Sequence, residues 1–137
     1  MGQQQLLLIV LGVIIVGIAV VVGINVFTAS SANANRDAVI SDLTTLAAMA
    51  QQYYRKPIAM GGGGNSFDAS TGSGGTAWDV PASLDTTANG VYTATSVTAN
   101  NVTLVGVGNE VGNDGSSGVK VTMVVGKNSI SSTTINN

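Results

Sequence analysis

The chain contains no cysteine and no histidine. Disulfide scaffolds, Cys or His zinc sites, imidazole general bases and Ser-His triads are therefore excluded within its 137 residues. Charge is scarce too. Only 9% of residues are Asp, Glu, Lys or Arg, against roughly 25% in an average soluble domain. The net charge is −2 and the isoelectric point is near 4.5, so no basic surface is available to hold nucleic acid. Aromatic residues make up 4%, which predicts a thin core wherever the chain is globular. There are two prolines, and the first is Pro57.

What is abundant is divided between two ends. Leu6 to Ile24 is an unbroken run of 19 residues, of which fifteen are Leu, Ile or Val. The others are Ala19, Gly12, Gly17 and Gly23. About 20 apolar residues in a helix span the roughly 30 Å core of a bilayer. Many of these residues are β-branched, which disfavours a helix in water. In lipid the backbone must satisfy its own hydrogen bonds, so a helix is still expected. Ala32-Asn33-Ala34 imitates a signal-peptidase site, but residues 1–5 carry no Lys or Arg and the run is longer than a signal peptide needs. An uncleaved segment is expected. Gly12, Gly17 and Gly23 are spaced by five and six, which is not GxxxG, and are expected to let the helix bend or unwind.

Thr28 to Lys56 keeps a helical period. Val39, Leu43, Leu46, Ala50 and Tyr53 step by four, three, four and three. This row is expected to pack on whatever the rest of the chain forms. No Gly or Pro separates Gly23 from Pro57, so one helix is predicted from near residue 3 to near residue 55. Arg55 and Lys56 suit its negative end, and Pro57 stops it.

The remainder, 57–137, holds 14 of the 18 glycines and is rich in Ser, Thr and Asn. Gly61 to Gly64 and Gly72 to Gly75 are expected to be flexible loops. Strand signals cover Val91–Thr98, Val102–Val107, Val119–Val125 and Ser129–Ile135, with turns at Asn100-Asn101 and Lys127-Asn128. A longer loop is expected from Gly108 to Gly118. The fold class predicted is α+β: a long N-terminal helix packed on a small antiparallel meander. Its three segments are residues 1–27, 28–56 and 57–137.

No chemistry-bearing constellation emerges. No carboxylate pair has the i,i+3 or i,i+4 spacing that suits acid–base work. Asp37 and Asp42 are five apart, and Asp68, Asp79 and Asp85 are scattered. The glycine tract lacks the GKS or GKT of a phosphate loop. Glu110, Asn113 and Asp114 do not follow EF-hand spacing and read as a solvated turn. Asn101-Val102-Thr103 matches a glycosylation sequon by pattern alone. Tyr53, Tyr54 and Trp78 read as packing residues. No catalytic residue, metal or cofactor is expected, and the role predicted is non-enzymatic.

The layout resembles a mature type IV pilin or pseudopilin. It has a short polar N-terminus, an apolar helix from the sixth residue, an amphipathic continuation to the mid-fifties and a small sheet. The sequence likeness covers residues 1 to about 55. That resemblance implies a structural subunit of an extracellular helical filament, cleaved by prepilin peptidase and N-methylated at its first residue, here Met1. Its partners would be copies of itself, the cytoplasmic membrane before export, and the assembly machinery. The assembly surface implied is Met1, Gln5, Leu6, Leu7, Leu8, Ile9, Leu11, Ile14, Ile15 and Ile18. Two departures stand out: Gln5 occupies a position that is usually Glu in the family, and no Pro falls near residue 22. Gln5 can still accept a hydrogen bond from a neighbour's amine, at lower desolvation cost than a carboxylate. A non-polymerising anchored binding domain and a minor pseudopilin are the alternative expectations.

Overall fold

The computed structural model describes residues 2–72 and 74–137. Its first element, α1, runs without interruption over Gly2–Arg55. At about 1.5 Å per residue, such a helix is close to 80 Å long. A short 3₁₀ turn, Ile58–Met60, follows. The four strands are β1 (Gly90–Val97), β2 (Asn101–Val111), β3 (Gly118–Gly126) and β4 (Ile130–Ile135). They form one antiparallel sheet in sequential order, β1-β2-β3-β4. The chain is therefore an α+β fold, with one long N-terminal helix on a four-stranded antiparallel sheet. That arrangement is consistent with a pilin-like architecture.

One face of the sheet is pressed onto α1. Val39, Leu43, Leu46, Ala47 and Ala50 meet Tyr92 of β1, Val102 and Leu104 of β2, and Val119, Val121, Met123 and Val125 of β3. The alternation along β3, buried at Val119, Val121, Met123 and Val125, is the period-2 signature of a half-buried strand. Beyond Leu104 the inward positions of β2 are glycines, because the helix comes closest there. A Cβ on Gly106 would lie 2.8 Å from Val39 Cγ1, and one on Gly108 would lie 2.0 Å from Asn35 Oδ1. β4 lies beyond the reach of the helix and is exposed along its whole length.

Two loop expectations need correction. β2 continues to Val111, with a register irregularity between Val107 and Val111, so the β2–β3 loop is shorter than Gly108 to Gly118. The Gly61–Gly64 tract is not a flexible linker. Its amides close the end of α1: Gly62 N–H donates to Pro57 O (3.0 Å), Gly63 N–H to Tyr53 O (2.8 Å) and Gly64 N–H to Lys56 O (2.9 Å). Asn65 N–H completes the cap on Tyr54 O at 2.7 Å. The last carbonyls of a helix lack intrahelical partners, and this turn supplies them. Glycine is required because Gly61 and Gly64 have φ of 79° and 56°, and a Cβ on Gly63 would fall 1.8 Å from Ser66 O.

Phe67 and Trp78 then fold under this cap. Both are buried, and Phe67 stacks at a tilt against Tyr54 with ring centres 4.9 Å apart. The core draws residues from both sides of Lys56, so 28–56 and 57–137 make up one packed unit.

Candidate assembly surface

Among the described residues, nothing packs on the other half of α1. Every Leu, Ile, Val and Phe from Leu6 to Phe27 is between 53% and 75% exposed. Burial begins abruptly at Ala32, where α1 meets the sheet. Gln5, Leu6, Leu7, Leu8, Ile9, Leu11, Ile14, Ile15 and Ile18 all lie on this bare cylinder. Met1 lies outside the described residues. The helix is long and apolar enough to cross a membrane. Arg36 is the first charged side chain in the sequence, so charge begins only after the helix has entered the sheet. At Gly12, Gly17 and Gly23 the helix is regular, and an added Cβ would meet nothing within 4 Å.

Val39, Leu43, Leu46 and Ala50 occupy the centre of the helix–sheet core, and Tyr53 packs at its margin. The Tyr53 hydroxyl donates to Thr76 O, which ties the long loop to the helix. Polar contacts hold the same interface in register. Asn35 donates from Nδ2 to Asn89 O (2.9 Å) and accepts from Glu110 N–H (3.3 Å). Arg36 donates to Asn33 Oδ1 (2.8 Å) and to Asn137 O (3.1 Å). Gln51 donates to Gly126 O (3.2 Å) at the opposite end of the sheet. The bare helix therefore projects from a rigidly docked base.

One cluster was not legible from spacing. Asp42 Oδ2 accepts from Tyr92 Oη (2.6 Å), Asn89 Nδ2 (3.0 Å) and Thr87 Oγ1 (3.2 Å). Burial raises the Asp42 pKa, but the hydrogen bonds from Tyr92, Asn89 and Thr87 together outweigh it and hold the carboxyl below its ordinary value. Burial and the bond to Asp42 push the Tyr92 phenol up to about 12. A cleft beside this cluster is lined by Asp42, Thr45, Leu46, Leu84, Thr87 and Tyr92. With its donors all turned inward to Asp42, the cluster acts as an anchor between helix and sheet. The only signal for it in the sequence was a carboxylate at the edge of an apolar stripe.

The other shifted carboxylates close turns. Amide and hydroxyl donors of Ser116 and Ser117 converge on Asp114, with Asn137 beside it, and hold it far below the usual carboxylate range. Asp68 is lowered by hydrogen bonds from the Ser70 hydroxyl and its neighbours. Asp114 thus spends its lone pairs on its own loop. Among the described residues no group of three or more His, Cys, Asp or Glu gathers as a metal site.

No protein-family model, curated protein or solved structure matches this chain.

Proposed function

We propose that the chain is the structural subunit of an extracellular helical filament of the type IV pilus kind. The observation that carries this reading is the bare apolar half of α1, continuous with a half that is locked into the sheet. An apolar cylinder of this size is stable only in lipid or against other apolar surface. On the insertion scale each central Leu, Ile or Val contributes about −0.3 to −0.6 kcal/mol. Before assembly, the Leu6–Phe27 span sits in the cytoplasmic membrane with the sheet outside. During assembly, a membrane machine draws subunits into a polymer whose centre is a bundle of these half-helices. Protein replaces lipid around each span, and the span never meets water.

The docked base transmits this packing to the sheet, which forms the outer shell. Gln5 lies at the packing end as hydrogen-bond partner for a neighbour's amine, with Met1 as the processed and methylated N-terminus. The low net charge keeps repulsion between shells small. The test is negative-stain electron microscopy of material sheared from cells, with its protein identified by mass spectrometry. Fibres a few nanometres wide made mainly of this chain are expected. A chain confined to the membrane pellet, with no fibres, would instead favour the anchored binding domain.

A further inference from the structure

The sheet of this chain is wider than the helix that covers it. Four strands at a spacing of about 4.8 Å set the outer two about 14 Å apart, whereas a helix with its side chains is about 10–12 Å across. The core is centred on β2 and β3, and the two flanks of α1 are finished differently. On the β1 side the long loop closes in. Leu84 stands with Asp42 and Tyr92 around one cleft, and Val80 with Tyr92 and Ala94 around another. The same loop guards the margin of β1: Tyr92 N–H donates to Asp85 O (2.7 Å) and Thr87 N–H to Gly90 O (2.9 Å). On the β4 side, among the described residues, no segment covers the flank or the margin.

The strand register decides which way the side chains of β4 face. Ile135, Thr133 and Ile130 stand opposite Val121, Met123 and Val125, which are buried against the helix. Residues directly opposite across a ladder share a face, so these three lie on the helix side of the sheet. They extend the floor of the core past α1, yet Ile130 is 40% and Ile135 51% exposed. The flank of α1 beside them is the row Arg36, Ile40, Thr44, Ala47 and Gln51, at steps of four, four, three and four. Its ends are tied to either end of β4, since Arg36 donates to Asn137 O and Gln51 to Gly126 O. The Thr44 hydroxyl donates to Ile40 O (2.8 Å), so it is satisfied within the helix. Between the tied ends, neither this row nor the three β4 side chains carry charge. Asp37 lies farther round the helix, Lys120 on the outer face of the sheet and Lys127 in the turn before β4.

We infer that this furrow seats the bare half of α1 from a second copy of the chain, lying beside α1 and over β4. The inference rests on the filament reading and says where on its neighbour each half-helix is held. Three observations select this occupant. From Leu6 to Phe27 the bare half has no charged side chain and a single hydrogen-bonding one, Asn25, which suits a floor of isoleucine and threonine. Packed helices have axes about 8–10 Å apart, and a step of that size from α1 covers two strand spacings and arrives over β4 and its open margin. Finally, α1 is unbroken over Gly2–Arg55, so the bare half of the same chain points away along the axis and cannot reach its own furrow.

Each copy thus offers one bare helix and one furrow. With all copies pointing the same way, residues 6–27 of one lie level with residues 36–51 of the other. The seated copy then stands farther out along the axis by about 40 Å, at 1.5 Å per residue. A contact between two different surfaces with such a displacement does not close into a ring, and it propagates as an open helical array. The furrow therefore receives a half-helix as that half-helix leaves the membrane.

The test uses the full-length chain in cells that make it. The sequence has no cysteine, so introduced thiols are the only ones present. Ile135→Cys is combined in turn with Val13→Cys, Ile14→Cys, Ile15→Cys and Val16→Cys, four successive positions that cover every face of one turn. Sheared fibres are treated with a short bis-maleimide and run on a denaturing gel. At least one pair is expected to give a ladder of dimers, trimers and higher species, because every chain carries one donor and one acceptor. Each single-cysteine variant is expected to stay monomeric. A second set tests the face. Thr133→Lys with Ile135→Lys should lower fibre yield about tenfold or more, because an unpaired charge would be enclosed beneath the seated helix. Both positions are exposed, so the amount of chain in the membrane and its unfolding midpoint in detergent should not change. Thr134→Lys, on the opposite face of the same strand, should keep yield within about twofold of wild type.

Fibres of normal yield with no ladder from any pair would overturn the seat. So would equal losses from the two faces of β4, or dimers from Ile135→Cys alone, which would show two β4 edges pairing with each other. Absence of fibres from the wild-type chain would be a different failure, that of the filament reading, and the seat would fall with it.

Discussion

The two halves of α1 share one backbone and differ in everything else. From Gly2 to Ser30 every described side chain is exposed, whereas from Ala32 to Ala50 a buried residue recurs on one face. The first half is apolar all round and its composition alone tells its environment. The second is amphipathic, and its environment is a sheet assembled from residues far along the chain, Tyr92 to Val125. A substitution in the bare half should therefore act on assembly and leave the packed unit untouched. A substitution in the docked half should act on folding first.

Removing the bare half gives the sharpest test. Residues 28–137 carry the whole core, Ala32 through Val125. They are expected to remain folded, soluble and monomeric, with filament yield falling to nothing. Sedimentation and electron microscopy of the fragment check this, and fibres formed by it would show that the apolar half is dispensable. The next largest effect is expected of Gln5→Lys in the full chain. It adds a cation at the end of a half-helix whose side chains carry no charge before Arg36, where a buried charge without a partner costs several kcal/mol. Incorporation into fibres should be blocked while the melting of the packed unit is unchanged. Normal polymer yield from this variant would remove Gln5 from the role assigned to it.

Matched leucines on the two halves extend the comparison. Leu43 is fully buried, and Leu43→Ala should destabilise the packed unit by about 2–5 kcal/mol through lost burial and a residual cavity. Leu8 is 68% exposed, and Leu8→Ala should leave the unfolding midpoint in detergent where it was. Matched glycines do the same at smaller magnitude. Gly63→Ala places a methyl on Ser66 O and the Tyr53 ring, and it should cost about 1–3 kcal/mol. Gly17→Ala meets nothing, and it should leave the domain unaffected while stiffening the helix by about 1 kcal/mol. Equal effects within either pair would mean that the two halves are not independent.

The same division explains how far the sequence could be read. The helix, its end at Pro57 and the order of four strands follow from local periodicity, because each strand has its own alternation and each turn its own residues. The length of β2 did not, since Gly108 read as the start of a loop and is in fact, with Gly106, a place where α1 presses on the strand. The glycine tract misled for a related reason. Its composition is that of a linker, but its amides, with that of Asn65, answer the carbonyls of Tyr53, Tyr54 and Lys56, a demand visible only once the helix end is in place. Asp42 was dismissed for want of a neighbour at helical spacing. Its partners Thr87, Asn89 and Tyr92 lie 45 to 50 positions on, and no local pattern announces them.

That cluster supplies the effect most specific in form. Tyr92→Phe removes the shortest bond to Asp42 and keeps the ring in the core. At pH 7 it should destabilise the fragment 28–137 by about 1.5–3 kcal/mol, the scale of a hydrogen bond to a charged group. The folded Asp42 has a lowered pKa, so its contribution is present above the ordinary value of 3.8 and is lost as pH falls through the folded pKa. The folded Tyr92 has a raised pKa, so its contribution is complete below 10 and is lost as pH rises from there to about 12. The difference between wild type and Tyr92→Phe should therefore be a plateau from about pH 4 to pH 10 that declines on both sides. Asp68 and Asp114 also lose stabilising bonds in acid, but they do so equally in both proteins and cancel in the difference. Urea midpoints across pH 2 to 12 measure it. A difference that stayed constant over that range would show that the Tyr92 hydroxyl and the Asp42 carboxylate do not hold each other, and that packing alone docks the second half of α1.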